Sequence, residues 1–205
     1  MTIFEQFLAA PIAATIFFMT LITSYKAFNN PELKYRFILN PFDVVNKKEY
    51  YRVFTSGLIH ANYMHLGFNM ITYYFFAFYL EMLIGHWQFA VLYVVSLAIS
   101  DITTIIKYKD HSAYNSLGAS GAVSAVVLSI IMCYPDMKLL LFFAIPMPGW
   151  FFALAYIGYS YYASRNNNDI INHEAHLWGA LSGIILTLIL KPDVIRIIQD
   201  WLKSF

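Results

Sequence analysis

The chain has 205 residues, of which 60% are hydrophobic and only 12% are charged, and its net charge is +1. Soluble domains contain roughly half apolar and about a quarter charged residues, so this composition excludes an ordinary soluble protein. The charge gives no indication of nucleic-acid binding, and the single cysteine, Cys133, excludes an intramolecular disulfide. Several segments approach the roughly 20 apolar residues that cross a membrane as a helix. We therefore predict an all-α polytopic membrane protein.

Six apolar segments are predicted to cross the membrane. Their approximate bounds are 8–25, 65–83, 87–106, 116–133, 150–164 and 173–190. The first connection is polar and contains Pro31 and Pro41, which are expected to act as breakers. The sequence contains no internal repeat, linker or second domain, so we predict one membrane domain over residues 1–205.

Several features outside this pattern carry their own expectations. Residues 139–147 are apolar but too short to cross, and we predict a loop that packs on the protein or lies at the interface. The tail, about 192–203, places its apolar residues on one helical face and predicts a short interfacial helix. The N-terminus lacks the basic region and cleavage site of a signal peptide, so the first span is expected to be retained. Asp101 is costly inside a membrane, and we expect it to reach water or a loop partner near the span end.

The fourth span starts with small residues and one hydroxyl group. Ser120 lies between Gly118 and Gly121, about four residues inside the span. His176 lies about three residues inside the sixth span, and both spans enter from the same side because one span separates them. At a rise of about 1.5 Å per residue, the two side chains lie at nearly the same depth. A serine and a histidine so placed predict a nucleophile and its base.

Two further features favour this pairing. Gly179 and Gly183 form a small-xxx-small face that lets the sixth helix approach a neighbour closely. The second span also enters from this side, and His65 and Asn69 share a helix face at its start because they are four residues apart. Their N–H groups are candidates for stabilising an oxyanion, together with the backbone N–H of Ser120.

The order and topology of these motifs resemble the rhomboid intramembrane serine proteases, from about residue 51 to residue 183. His60, His65 and Asn69 are similar to the family pattern H-x4-H-x3-N. Residues 118–121 are similar to its G-x-S-G, and residues 175–183 to its A-H-x-x-G-x-x-x-G.

The resemblance implies a compact bundle of six transmembrane helices with a partly embedded first loop. It implies a dyad with Ser120 as nucleophile and His176 as general base. The implied oxyanion hole consists of His65, Asn69 and the amide of Ser120. The residues implied to support the site are His60, Gly118, Gly121, Gly179 and Gly183. No metal or cofactor is implied, and the implied partners are transmembrane protein substrates and membrane lipid, not nucleic acid.

Two positions depart from the family pattern. Ser124 stands four residues after the serine, where family members often carry an aromatic residue that packs on the catalytic imidazole. Another group must therefore orient His176. Tyr51 replaces a tryptophan that often precedes Arg52, which would alter how the first loop sits in the bilayer.

The distribution of positive charge conflicts with the orientation that the resemblance implies. Nine of the 13 Lys and Arg residues lie in the first, third and fifth connections, which the positive-inside rule would place in the cytoplasm. The resemblance implies that both termini are cytoplasmic and that the site opens to the extracytoplasmic side of a bacterial inner membrane. We adopt this orientation because a partly embedded loop is a poor carrier of the rule.

The leading hypothesis is hydrolysis of peptide bonds in or beside transmembrane helices. One alternative is a metal-dependent membrane hydrolase, although H-E-A-H departs from the H-E-x-x-H spacing of such enzymes. Its potential ligands are His60, His65, His173, Glu174 and His176. The other alternative is a non-catalytic relative that binds transmembrane clients. Such a relative would be expected to lack the serine or the histidine.

Overall fold

The computed structural model describes residues 2–141, 144–166 and 171–204, and most of them are helical. The helices are α1 (Ile3–Ala9), α2 (Pro11–Phe28), α3 (Pro31–Phe37), α4 (Pro41–Asn46), α5 (Arg52–Thr55), α6 (Tyr63–Ile84), α7 (His86–Tyr108), α8 (Ser120–Cys133), α9 (Gly149–Asn166), α10 (His173–Leu190) and α11 (Val194–Leu202). A 3₁₀ turn covers Ser56–Leu58, and two strands follow α8, β1 (Lys138–Leu141) and β2 (Ile145–Pro148).

Three helices of the described chain are long and apolar enough to cross a membrane, namely α2, α7 and α10. Helix α6 has 22 residues, but its His65, Asn69, Glu81 and several tyrosines lower its mean hydropathy. Helix α8 is strongly apolar but has only 14 residues. Length and composition therefore identify half of the six predicted spans.

Helix α8 forms the centre of the bundle, because every residue in it except Ser120 and Met132 is buried. Helix α10 packs directly along it. A Cβ added at Gly179 would collide with the backbone of Gly121, and one added at Gly183 would collide with the backbone of Ala125. The two glycines therefore allow backbone-to-backbone contact, as the small-xxx-small spacing predicts.

The first connection is more ordered than a polar loop with breakers. Pro31 and Pro41 each occupy the first turn of a short helix, where proline is favoured because its missing N–H is not needed. Arg52 is buried, and its Nη1 donates to the carbonyl oxygens of Tyr35 and Ile38 at 2.7 and 2.8 Å. These bonds fold the connection onto the bundle.

Residues predicted as a loop at 139–147 form part of a β-hairpin instead, so that prediction was wrong for the described part. Strands β1 and β2 pair antiparallel, with Lys138 opposite Pro148 and Leu141 opposite Ile145. An apolar segment that is too short to cross satisfies its backbone groups by pairing with itself. Residues 142 and 143 of this prediction, like 167–170 of the polar segment before α10, lie outside the described residues.

At both ends of the chain, the observed helices lie close to the predicted ones. The first long helix begins at Pro11, three residues later than the predicted span, and α1 precedes it. Its first turn is capped by the buried carboxylate of Glu81, which accepts from the N–H groups of Ile12 and Ala13 at 3.1 and 2.6 Å. The tail forms helix α11, whose apolar and polar residues lie on opposite faces.

Candidate active site

Ser120 is the first residue of α8 and follows a tightly constrained loop. Gly118 has a φ of +115°, and a Cβ at this position would lie 2.7 Å from Cε1 of His65. The N–H of Gly118 donates to the carbonyl of Ser56 at 3.0 Å, and Ser116 forms a backbone bridge with Leu39. The first connection therefore holds the loop that presents Ser120, and the position of Gly118 requires glycine.

His176 lies in the first turn of α10, and the structure brings it to Ser120. Its Nε2 lies 2.8 Å from Oγ of Ser120, which is a hydrogen-bond distance. Asn172 caps the helix by accepting from the N–H of Ala175 at 3.0 Å. The side chain of Asn172 also donates to Oγ1 of Thr104 at 2.8 Å and to Oγ of Ser116 at 3.3 Å. This amide therefore fixes the start of α10 relative to α7 and to the loop before Ser120.

A cavity of about 240 Å³ opens beside this pair. Apolar side chains of α6, α8 and α9 form about half of its lining, and the polar lining consists of Asn69, Thr72, Ser120, Ser124, Tyr156 and His176. A hydroxyl and an imidazole in hydrogen-bond contact at the wall of an apolar cleft are the arrangement that nucleophilic catalysis needs.

Of the two side chains predicted to stabilise an oxyanion, Asn69 lines the cavity and His65 is not among its lining residues. The amide Nδ2 of Asn69 donates to the carbonyl of His65 at 3.0 Å. His65 packs against Gly118, and its Nδ1 lies 3.5 Å from the N–H of Ala61. This contact makes Nδ1 the acceptor, so Nε2 carries the proton and is the nitrogen that faces Gly118.

His60 lies behind His65 and is fully buried. The two imidazole rings meet edge to face with centroids 4.8 Å apart, and Nδ1 of His60 is 3.0 Å from Oγ of Ser24. Burial, and secondarily the neighbouring His65, lowers the pKa of His60 to about 3. His60 is therefore neutral near pH 7 and supports the site through packing and hydrogen bonding.

The structure adds one residue that the sequence did not indicate, Tyr156 of α9. Its ring lies nearly parallel to the imidazole of His176, with the centroids 6.5 Å apart and an angle of 25° between the planes. Its hydroxyl lies 2.5 Å from Oγ of Ser124. The chain contains 16 tyrosines, and no spacing in an apolar helix distinguishes the one that faces the site.

The two acidic residues near the site are bound elsewhere. Glu174 forms an ion pair with Lys107 at 2.8 Å, and Oδ2 of Asp101 accepts from Oγ of Ser56 at 2.9 Å. The loop partner expected for Asp101 is therefore Ser56. Within the described ranges, no three His, Cys, Asp or Glu side chains lie close enough together to hold a metal ion. The described residues therefore do not form the ligand set that the metal-dependent alternative needs.

Comparison with known proteins gives one family throughout. The family model for the Rhomboid domain matches residues 47–193. "RHOMBOID-like protein 12, mitochondrial" from Arabidopsis thaliana is 27% identical over 171 residues, covering 76% of this chain and 51% of that protein. "Rhomboid protein 1, mitochondrial" from Saccharomyces cerevisiae is 30% identical over 135 residues, covering 63% and 39%.

A bacterial relative is covered more completely. "Putative rhomboid protease YdcA" from Bacillus subtilis is 29% identical over 141 residues, covering 69% of this chain and 67% of that protein. The chain spans about half the length of the plant relative and less of the yeast relative.

Proposed function

The chain belongs to the rhomboid family, and on this premise we propose that it is an intramembrane serine endopeptidase. The observation that carries the proposal is the 2.8 Å contact between Nε2 of His176 and Oγ of Ser120. This contact joins two helices at the wall of a cavity, where a substrate carbonyl has access to both groups. The substrates are transmembrane proteins, cut in or beside a membrane-spanning helix.

The reaction proceeds through an acyl-enzyme. Nε2 of His176 takes the hydroxyl proton while Oγ of Ser120 bonds to the carbonyl carbon, and the carbonyl electrons move onto oxygen. The backbone N–H of Ser120, the amide of Asn69 and Nε2–H of His65 stabilise this oxyanion. The C–N bond then breaks as His176 returns its proton to the amine. Water, activated by the same imidazole, releases the acyl group.

We further propose that six helices, α2 and α6 to α10, span the membrane. Ser120 and His176 each lie in the first turn of their helices, so the cavity is near one membrane face and open to water. Both termini are cytoplasmic and the cavity faces the extracytoplasmic side of a bacterial inner membrane. Membership of the rhomboid family supports a preference for small residues at the cut and for substrate helices that unwind readily, because a helical peptide bond is shielded by its own hydrogen bonding.

Labelling with a fluorophosphonate probe tests the dyad. We expect purified wild-type protein to be labelled and Ser120→Ala and His176→Ala to be unlabelled, with unchanged thermal unfolding. Ser182→Ala is the matched control, because Ser182 is a buried serine of α10 that donates to the carbonyl of Gly179. Each dyad variant should also abolish cleavage of a transmembrane substrate in liposomes.

Three other outcomes would contradict the proposal. Cleavage that survives in pure Ser120→Ala protein would contradict the assignment of the nucleophile. Loss of cleavage on chelation, with recovery on addition of zinc, would instead favour a metal-dependent hydrolase. Capture of a transmembrane client without any cut, unaffected by Ser120→Ala, would identify a binding protein.

A further inference from the structure

We propose that Tyr156 is a positioning residue that holds the imidazole of His176 in its hydrogen bond to Ser120. The inference rests on the proposed function of that pair and concerns what orients it. Three aromatic rings form a row at the wall of the cavity. Phe152 stacks on Tyr156 with centroids 5.6 Å apart and an angle of 18°, and Tyr156 in turn lies over His176.

Hydrogen bonding fixes where the tyrosine ring lies. Oγ of Ser124 donates its only proton to the carbonyl of Ser120 at 2.8 Å. The hydroxyl of Tyr156, 2.5 Å from the same Oγ, must therefore be the donor in that contact. The result is a chain of bonds from Tyr156 through Ser124 to the backbone of Ser120. One tyrosine is thus tied to the helix of the nucleophile while its face contacts the base.

This arrangement restricts the rotation that would break the dyad. An imidazole turns about two side-chain bonds, and a small rotation moves Nε2 out of hydrogen-bond distance from Oγ. Stacking on a ring that is itself fixed between Phe152 and Ser124 limits that rotation. A base that spends less time in the reactive geometry lowers the rate of the chemical step without changing how tightly the substrate binds.

The contact is separable from the stability of the bundle. The central pair of helices, α8 and α10, is held by the close approach at Gly179 and Gly183. Half of the residues of α9 are exposed, and its buried residues are Gly149, Ser160 and Ala163. Tyr156 also packs against the buried cluster that includes Val127, Leu128 and Ala180. Leucine at this position keeps an apolar side chain against that cluster while the ring contact to His176 is lost.

The test measures the fluorophosphonate reaction, separated into the affinity for the probe and the limiting rate of labelling. We expect Tyr156→Leu to lower the limiting rate about 10-fold, with little change in affinity or in thermal unfolding. Tyr156→Phe and Ser124→Ala each keep the ring but lose its anchor, and should lower the rate about threefold. Tyr162→Leu is the control, since Tyr162 lies on the same helix but is 62% exposed.

A ring transplant distinguishes positioning from simple packing. In Tyr156→Ala the space of the ring is vacant, and the added change Ser124→Tyr supplies a new ring from α8. We expect this double variant to recover most of the lost labelling rate. Unchanged labelling of Tyr156→Leu, or a loss that tracks a fall in unfolding temperature and is not recovered by Ser124→Tyr, would overturn the proposal. Absence of labelling in wild type would overturn the proposed function itself.

Discussion

Asn69 carries the most specific residue-level expectation after the dyad itself. Its amide lines the cavity beside Ser120, although one of its protons is held by the carbonyl of His65. The amide has a second N–H, which in the proposed mechanism donates to the oxyanion. Removal of one such donor typically lowers kcat by about 10²–10³-fold. We expect that loss for Asn69→Ala, measured as cleavage of a transmembrane substrate in liposomes.

Another asparagine with the same local hydrogen bond provides the control for this variant. Asn166 also donates its amide to the carbonyl four residues earlier, that of Tyr162, at the exposed end of α9. Asn166→Ala therefore removes the same local bond without touching the cavity. Equal activity of the two variants would show that Asn69 contributes only to its helix.

His60 makes the stability of the protein depend on pH. Its pKa is lowered from 6.5 to about 3 by burial and by His65. The unfolded chain binds a proton here as the pH falls through about 6.5, whereas the folded protein keeps the ring neutral. The contribution of the neutral ring is therefore complete above pH 6.5 and is lost as the pH falls towards 3.

We accordingly expect the unfolding temperature of the wild type in detergent to fall between about pH 7 and pH 4.5. The fall should be shallower in His60→Gln, whose side chain binds no proton. His111→Gln changes an exposed histidine and should follow the wild-type dependence. Parallel curves for wild type and His60→Gln would show that His60 takes up its proton equally in both states.

At the scale of elements, the packing of α8 on α10 depends on two glycines. Gly179→Ala places a methyl group into the backbone of Gly121, so one of the two helices must shift. We expect an overpacking cost of about 1–3 kcal/mol and a longer distance between Ser120 and His176. Thermal unfolding and the rate of fluorophosphonate labelling measure the two effects.

Gly158 provides the matched control on α9, because an added Cβ there meets no atom within 4 Å. Gly158→Ala should leave labelling unchanged and stabilise the helix by up to about 1 kcal/mol. If Gly179→Ala behaved in the same way, the close approach of α8 and α10 would not be required for the site.

The sequence indicated the contact between Ser120 and His176, the close approach at the two glycines and the place of Asn69, because each depends on position along a helix. The depth of a residue in a span follows from its position in the sequence, and residues four apart share one helix face. Residue positions were therefore enough to predict that Ser120 and His176 lie together. Tyr156 could not be predicted, because its role depends on the rotation of α9 against its neighbours. The hairpin at β1 and β2 was missed because a short apolar segment has no periodicity that separates strand from loop.

At the scale of the whole molecule, the distribution of positive charge bears on which end of the bundle faces the cytoplasm. Six of the 13 Lys and Arg residues lie between Lys26 and Arg52, on the same side as the cavity. Much of this segment is folded into α3 to α5, and Arg52 is buried against backbone carbonyls. The positive-inside rule nevertheless counts charges in connections of this length, so the proposed orientation runs against the rule and needs a direct test.

Cysteine accessibility in intact bacterial cells resolves the orientation. Cys133 is the single cysteine of the chain, so Cys133→Ser provides a background without thiols. His111→Cys adds a thiol in the connection before Ser120, and Arg196→Cys adds one on α11, at the opposite end; both positions are exposed. With the cavity facing outward, a membrane-impermeant maleimide should label position 111 in intact cells and position 196 only after permeabilisation. The reverse pattern would place the proposed dyad on the cytoplasmic side, where it would meet the opposite ends of its substrate helices. It would also show that the positive charges of the first connection set the topology.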